Sequence, residues 1–343
     1  MGQITIKEIA DLCGCGVSTV SRAINNHPDI NPETKSKILD IIREYNYIPN
    51  NSARNLKRTE SQTIAVLVKG ISNPFFGPII QTLEREIIRK KYSFIIQQVE
   101  DYEDEIEVAI HLEKEKRLKG IIFLGGLVRH SEESIRRMEI PFVVCTVDVQ
   151  LEQEGAKGAA VSVNDEEESY RMVDYLCKAG HKEIAILTAG KQDASISKSR
   201  FIGYQNALED NGIRYNENVV VTMNPDSQGY TIASGYEMAK ELLERKEKVT
   251  CVYAISDTLA VGACRAIFDA GLRVPEDISV AGFDGQEIAR YYHPSITTVL
   301  QPRERIAKET VKKLFDLMEG RPVQNKDVYE GSLWEGESVR KLN

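Results

Sequence analysis

From Thr63 onward the chain alternates short, unbroken aliphatic runs with longer helical stretches, and this alternation limits the fold more than any other feature. The first round holds "TIAVLVK" (63–69), "SFIIQQV" (93–99), "GIIFLGG" (120–126) and "PFVVCT" (141–146). The second holds "EIAILT" (183–188), "NVVVT" (218–222), "CVYAIS" (251–256) and "ISVAGFD" (278–284). A strand wetted on one face alternates apolar with polar residues, so continuous apolar runs belong to strands covered on both faces, as in parallel sheets with crossover helices. Between the first two runs, Ile80, Leu83, Ile87 and Ile88 recur at helical spacing and mark one such helix. Two rounds imply two doubly wound α/β lobes, a class that holds ligands at the carboxyl ends of its strands. At 343 residues the chain is also too long for one ordinary core.

The first 46 residues have a different character, with three short helical patterns and no strand. Thr5 and Glu8 form a capping box ahead of Ile9, Ala10 and Leu12. "CGCG" (13–16) breaks that helix, and "VSTVSRAIN" (17–25) starts another. Asn31 and Pro32 supply an N-cap and a first-turn proline for a third, in which Ile38, Leu39, Ile42 and Tyr45 make a packing stripe. Helix, glycine-containing turn, helix is the helix-turn-helix arrangement. In its second helix Val20, Ala23 and Ile24 can pack inward, while Ser18, Ser21, Arg22 and Asn25 share the outer face. Short polar groups permit close approach to a major groove, and arginine can bond guanine O6 and N7 together. A three-helix bundle with a solvated polar face has the same pattern.

Net charge is −8, which taken alone disfavours nucleic acid as a partner, but the charge is unevenly placed. Residues 1–60 carry eight Lys/Arg against seven Asp/Glu, leaving the acidity to the rest of the chain. In "NNSARNLKR" (50–58), Arg54, Lys57 and Arg58 make a local basic patch around a single large apolar residue, Leu56. No apolar run approaches the roughly 20 residues of a membrane span, and the N-terminus lacks the apolar stretch of a signal peptide, so a cytoplasmic protein is expected. The six cysteines form no CxxC pair, and Cys13 with Cys15 is an isolated CxC. The five histidines share no spacing, and the nucleotide, zinc-protease and nucleophile-elbow motifs are absent. Neither metal nor cofactor is expected, and nothing asks for an enzyme.

These features resemble the lac repressor family of bacterial transcription regulators over essentially the whole chain. The signature is "TIKEIADLCGCGVSTVSRAINNHPDINPETKSKI" (5–38), followed by "NNSARNLK", "SNPFF" (72–76), "GHKEIAIL" (180–187), "SRFIGYQNAL" (199–208), "SDTLAVGA" (256–263), "VPEDISVAGFDG" (274–285) and "HPSITTVLQP" (293–302). Two departures stand out: Cys15 and Gly16 replace the common Val-Ser of the turn, and Gly336 replaces an arginine.

The resemblance implies a headpiece at 1–49, a hinge helix and linker at 50–61, and an effector and dimerisation domain at 62–343. It puts the first lobe at about 62–163 plus 293–325 and the second at about 164–292 plus 326–343. Val17, Ser18 and Arg22 then match base-facing positions, and Thr19, Ser21 and Asn25 match phosphate contacts. In the hinge, Leu56 would wedge into a minor-groove base step, with Ala53 allowing close helix approach and Arg54 and Lys57 meeting phosphates. The matching effector positions are Phe75, Asp148, Arg200, Tyr230, Asp257 and Asp284.

Structural alternatives accompany these roles. Phe75 and Tyr230 could be core, Arg200 an ordinary ion-pair partner, and Asp257 a helix cap, whereas His181 reads as structural. The implied protein is a homodimeric repressor of a pseudo-palindromic operator, controlled by a sugar or, alternatively, a purine. Two rivals are a solute-binding protein without specific DNA binding and an enzyme using Asp148 with Asp284 as an acid/base pair.

Overall fold

The computed structural model describes residues 4–24, 27, 29–45, 62–100, 102–126, 132–149, 151, 157–189, 196–224 and 229–342. The chain divides into two compact units, Met1–Ser61 and Gln62–Asn343.

The first unit contains α1 (Ile6–Cys13), α2 (Val17–Ile24) and α3 (Pro32–Glu44). The capping box forms: Thr5 N–H donates to the Glu8 carboxylate at 2.7 Å, and Glu8 N–H donates to Thr5 Oγ1 at 3.3 Å. At its other end α1 stops on Gly14, whose left-handed φ of 67° returns its N–H to the Ala10 and Asp11 carbonyls. Asn31 Oδ1 caps α3 by accepting from Glu33 and Thr34 N–H. Ile9, Ala10, Cys13, Val20, Ala23 and Ile38 form the buried core. The stripe expected on α3 is displaced. Ile41 and Ile42 pack beside Ile38, while Tyr45 is 47% exposed and Leu39 stays outside the cluster, because residue 39 lies about 100° around the helix from residue 38.

The larger unit holds a six-stranded sheet and a four-stranded sheet, all of whose pairings are parallel. In the first lobe β1 (Thr63–Lys69) lies between β2 (Ser93–Val99) and β3 (Gly120–Leu124), and β4 (Phe142–Cys145) and β5 (Gly158–Val163) extend the sheet. Helices α4 (Phe76–Arg89), α5 (Glu105–Lys116) and α6 (Glu132–Arg136) belong to this round. On α4 the buried face is Ile79, Leu83 and Ile87; Ile88, expected on that face, is 55% exposed.

The second lobe begins with α7 (Asp165–Lys178) and contains β6 (Ile184–Thr188), α8 (Ile196–Asp210), β7 (Val220–Thr222), α9 (Ile232–Glu244), β8 (Cys251–Ala254), α10 (Asp257–Asp269), β9 (Ser279–Ala281) and α11 (Glu287–Tyr291). The remaining elements are β10 (Thr298–Leu300), α12 (Arg303–Met318), β11 (Lys326–Tyr329) and β12 (Ser332–Trp334).

These last elements correct the expected lobe boundaries. Residues 293–300 stay with the second lobe, where Ile296 and Val299 join the core and Gly282 N–H donates to Thr297 O at 2.8 Å. Strand β11 instead pairs with β5 in the first-lobe sheet, and β12 pairs antiparallel with β10. The chain therefore crosses between lobes beside Asn164, beside Gln301 and beside Glu330, since each strand edge is satisfied only in the lobe where its partner lies.

Close backbone approach explains several glycines. A Cβ at Gly262 on α10 would stand 2.1 Å from Ile232 O on α9, and one at Gly235 would stand 2.3 Å from Leu259 O. Gly262→Ala is expected to destabilise the protein by about 1–3 kcal/mol through overpacking, although alanine is the better helix former. A lowered urea midpoint is the readout; a raised one would mean that the two helices can part. At Gly336 a Cβ would meet Ser295 O at 2.3 Å, so the arginine of the resembled pattern needs a different backbone path. His181 is fully buried, with Nδ1 3.0 Å from Thr250 Oγ1 and Nε2 3.1 Å from Arg340 O, which ties the C-terminal segment to the lobe. Burial lowers its pKa and favours the neutral ring.

Candidate functional site

Two constellations carry chemistry, one in each unit. On α2, Val20 and Ala23 face the core, which turns the opposite side outward. Val17 is 39% exposed, Ser18 and Arg22 are exposed, and Thr19 and Ser21 are half-buried. The Arg22 guanidinium lies 3.3 Å from Asp29 Oδ2, with both side chains largely in solvent. His27 Nδ1 lies 2.6 Å from the other oxygen of Asp29, and that contact is the main reason the Asp29 carboxyl titrates below its ordinary range. A solvated pair of this kind is worth about 0–1 kcal/mol, so Arg22 can exchange Asp29 for a base at little cost. Asn25 and the hinge positions Ala53, Arg54, Leu56 and Lys57 lie outside the described residues.

The second constellation sits where β8 and β9 end and the crossovers begin. Arg200, from α8, is 2% exposed. Its Nε donates to Asp165 Oδ1 at 2.8 Å, one terminal nitrogen donates to Ile255 O at 2.5 Å and also lies 3.3 Å from Asp284 Oδ1, and its plane covers the Phe283 ring at 3.7 Å. Asp284 accepts from Gln286 Nε2 at 3.2 Å and Gln301 Nε2 at 2.9 Å. Its φ of 106° is a conformation that side-chain-bearing residues rarely adopt, and such strain persists only where surrounding contacts enforce it.

Asp257 is not the cap of α10; Ser256 is, accepting from Leu259 N–H. The Asp257 carboxylate instead accepts from Gln286 N–H and from the Thr298 hydroxyl, each at 2.6 Å. A Cβ at Gly282 would lie 2.3 Å from Asp257 Oδ1, so that glycine is what admits the carboxylate.

Three buried carboxylates thus share one network with a single buried guanidinium: Asp165 and Asp284 pair with Arg200, and Asp257 is joined to Asp284 through Gln286. Desolvation raises all three pKa values, that of Asp165 to about 6 despite Arg200 beside it. The cluster has acceptors in surplus and favours partners that bring hydrogen-bond donors.

Of the six expected effector residues, the structure joins Arg200, Asp257 and Asp284 in one network. Tyr230 adjoins it, its carbonyl accepting from the Thr258 hydroxyl at 2.8 Å. Phe75 and Asp148 belong to the first lobe. Phe75 is 4% exposed with its ring centre 5.7 Å from that of Phe76, and Asp148 pairs with Lys326. Sequence reasoning missed Asp165, Phe283, Gln286, Thr298 and Gln301. Asp165 heads a run of acids, "DEEE", that reads as an ordinary helix start, whereas Gln301 stands inside the quoted "HPSITTVLQP".

The cluster also reaches the crossovers. Asp165 begins the helix after the first, and Gln301 lies on the second. One turn beyond Asp165, the buried Glu168 accepts Gly331 N–H at 2.8 Å on the third. Among the described residues no helix is long and apolar enough to cross a membrane, and no group of three or more His, Cys, Asp or Glu is placed to hold a metal.

Both units are similar to known proteins. Residues 5–50 match the family described as bacterial regulatory proteins, lacI family, and residues 173–339 match the periplasmic binding protein-like domain. The HTH-type transcriptional regulator MalR of Clostridium butyricum is 40% identical over 92% of this chain and 93% of its own. The HTH-type transcriptional repressor PurR of Vibrio atlanticus is 32% identical over 99% of each chain. Among solved structures, the transcriptional regulator CelR in complex with cellobiose superimposes with a TM-score of 0.71 at 26% identity, covering 98% of this chain and 99% of that one.

Proposed function

Because the chain belongs to the lacI family of bacterial regulatory proteins, we propose that it is a homodimeric transcriptional repressor whose grip on operator DNA is set by a small uncharged sugar bound at the Arg200 cluster. One observation carries the effector half: three buried carboxylates lie in one network with a single guanidinium, which pairs with Asp165 and Asp284. A phosphate or a sugar acid would add anions to that surplus, whereas a sugar's hydroxyls donate into it and its apolar ring faces suit Tyr230. Two first-lobe cations are likewise committed, Lys326 to Asp148 and Lys69 to Glu105. A neutral purine has donors as well, and the PurR relative keeps it as the second reading.

The DNA half rests on the outward face of Val17, Ser18, Thr19, Ser21 and Arg22. Dimer symmetry would set two such helices in successive major grooves of a pseudo-palindrome. Ile88 on α4 and Ile96 on the edge strand β2, 55% and 44% exposed, support self-association through the first lobe. Contacts from the Arg200 cluster to the crossovers give an occupied site a direct hold on lobe closure. A coupling of about 1–3 kcal/mol, or roughly 5- to 150-fold in operator affinity, is the usual size of such linkage. DNA supplies the localisation: the protein works in the cytoplasm, as a regulator and not as an enzyme.

Selection of bound sequences from random duplex DNA is expected to enrich a palindrome whose affinity falls steeply with salt. Weak binding with no enriched sequence would leave only a solute-binding protein. Calorimetric titration with neutral mono- and disaccharides, sugar acids, sugar phosphates and purines then tests the effector. Heat from a neutral sugar is the expected result, and tight binding of only an anionic ligand would refute the charge argument.

A further inference from the structure

The turn of the headpiece carries a feature that DNA recognition does not use, the pair Cys13 and Cys15. Cys13 closes α1 and is 7% exposed within the core of the unit; Cys15 is half-buried and packs on the same core. Between them Gly14 holds φ 67° and ψ 36°, the mirror image of helical dihedrals. Residues two apart in a helix have Cα atoms about 5.4 Å apart, as a radius of about 2.3 Å and a rise of about 1.5 Å per residue require, and the mirror image has the same spacing. That lies inside the window of roughly 4.4–6.8 Å that a disulfide demands.

The two thiols are in electrostatic and hydrogen-bonding reach of each other, and this proximity adds to the rise that burial causes in the Cys13 pKa. Cys13 is a small buried core thiol, whereas Cys15 packs at the edge of that core, half-buried on the far side of a left-handed glycine.

We propose that Cys13 and Cys15 are a site of reversible oxidation, forming a disulfide with hydrogen peroxide that loosens the hold of the headpiece on its operator. The accessible Cys15 sulfur attacks one peroxide oxygen and becomes a sulfenic acid as the first water leaves. The Cys13 sulfur then attacks the sulfenyl sulfur, the S–S bond forms, and the oxygen departs as a second water with the Cys13 proton. Two thiols and one peroxide give one disulfide and two waters, and thiol exchange with a reductant reverses the step.

Selectivity follows from the other four cysteines. Cys145, Cys251 and Cys264 are buried, and burial pushes Cys177 up to about 11 and Cys145 and Cys264 up to about 12. Their thiolate fractions are correspondingly small.

The mechanical consequence follows from where the sulfurs lie. Bonding brings them to about 2.05 Å, well inside any non-bonded contact, and so draws Cys13 from among Ile9, Val20 and Ile38. The joint between α1 and α2 absorbs that shift, and this joint sets the direction of the face bearing Val17, Ser18 and Arg22. The effect on DNA rests on the regulatory function proposed above; the bond itself does not.

The test uses the full chain. After hydrogen peroxide treatment and alkylation, mass spectrometry of the peptide spanning residues 13–15 is expected to show the loss of two hydrogens, restored by dithiothreitol. Fluorescence anisotropy on the selected operator should show affinity at least tenfold weaker for the oxidised form. Cys15→Ser should bind as the reduced protein does and ignore peroxide, with Cys13→Ala as a second variant should either fold poorly. Sulfinic acid at Cys15 without a bond, a disulfide between chains, or an oxidised form that binds as tightly as the reduced one would each overturn the proposal. If the reduced chain selects no operator, the regulatory reading fails, and the mass result alone decides the oxidation site.

Discussion

Arg200→Ala is expected to lower the unfolding free energy of the larger unit by about 3–5 kcal/mol and to abolish ligand binding. The size follows from what the guanidinium leaves behind. Asp165 and Asp284 are each about 3% exposed or less, and both lose their cationic partner while remaining in a desolvated site. The Ile255 carbonyl also loses its donor, and Phe283 loses the plane stacked on it.

The sign of the pH dependence follows from Asp165. Its folded pKa is raised to about 6 from 3.8, so the folded state holds a proton that the unfolded state has released, and stability falls as pH rises through that window. Without Arg200 the folded value rises further, so the variant's deficit should be larger at pH 8 than at pH 5. Thermal unfolding at both pH values measures it. A variant as stable as the parent at pH 8 would mean that water already reaches these carboxylates, and the surplus-acceptor account of the ligand would go with it. Arg200→Lys should restore part of the stability through its charge but little ligand binding, because an ammonium cannot reproduce the planar fork that meets Asp165, Asp284 and Ile255 together.

Much of this architecture was legible in the sequence because local and global signals agree. Thr5 and Asn31 read as N-caps, with Glu8 and Pro32 in the first turns, and the structure has them so, since a cap is satisfied within four residues and needs no tertiary information. Runs such as "TIAVLVK" and "GIIFL" became central parallel strands because only two-sided burial suits a continuous apolar run. The lobe boundaries near the C-terminus were not legible. "KDVY" and "SLW" are only two residues apart and similarly half-polar, yet the first pairs with β5 and the second with β10. Partner choice at a sheet edge depends on which edge lies near, and for β11 that edge is β5, far earlier in the chain.

The site divides in the same way. Arg200, Asp257 and Asp284 stood in quotable motifs, and the structure gathers them. Asp165 could not be picked out, because an acid at a helix start already has an explanation in the helix dipole, and its partner is 35 residues away. Asp257 illustrates the converse case, in which one of two open readings falls away. The same reasoning made it a candidate cap, but Ser256 supplies the cap hydroxyl and releases the aspartate to bind Gln286 and Thr298.

Arg22→Ala is expected to weaken operator binding by about 1–3 kcal/mol, or roughly 5- to 150-fold, and to relax the preference for a guanine at one position in each half-site. The free protein supports this size, because almost nothing opposes the exchange of partners. Arg22 is 59% exposed at its side chain, pairs among the described residues with the exposed Asp29, and sits on a face whose neighbours Ser18 and Ser21 are too short to block its approach. The alternative role, a phosphate contact, makes a different prediction on the same measurement. A phosphate-bound arginine would be lost equally from all sequences, and the dependence of affinity on salt would fall by about one counterion per half-site. Titrating Arg22→Ala against the selected operator, against variants of each half-site position and against random duplex at several salt concentrations separates the two. A loss confined to one base position assigns Arg22 to readout, whereas a uniform loss with a shallower salt slope would move it to the backbone and leave Val17 and Ser18 to carry the sequence preference.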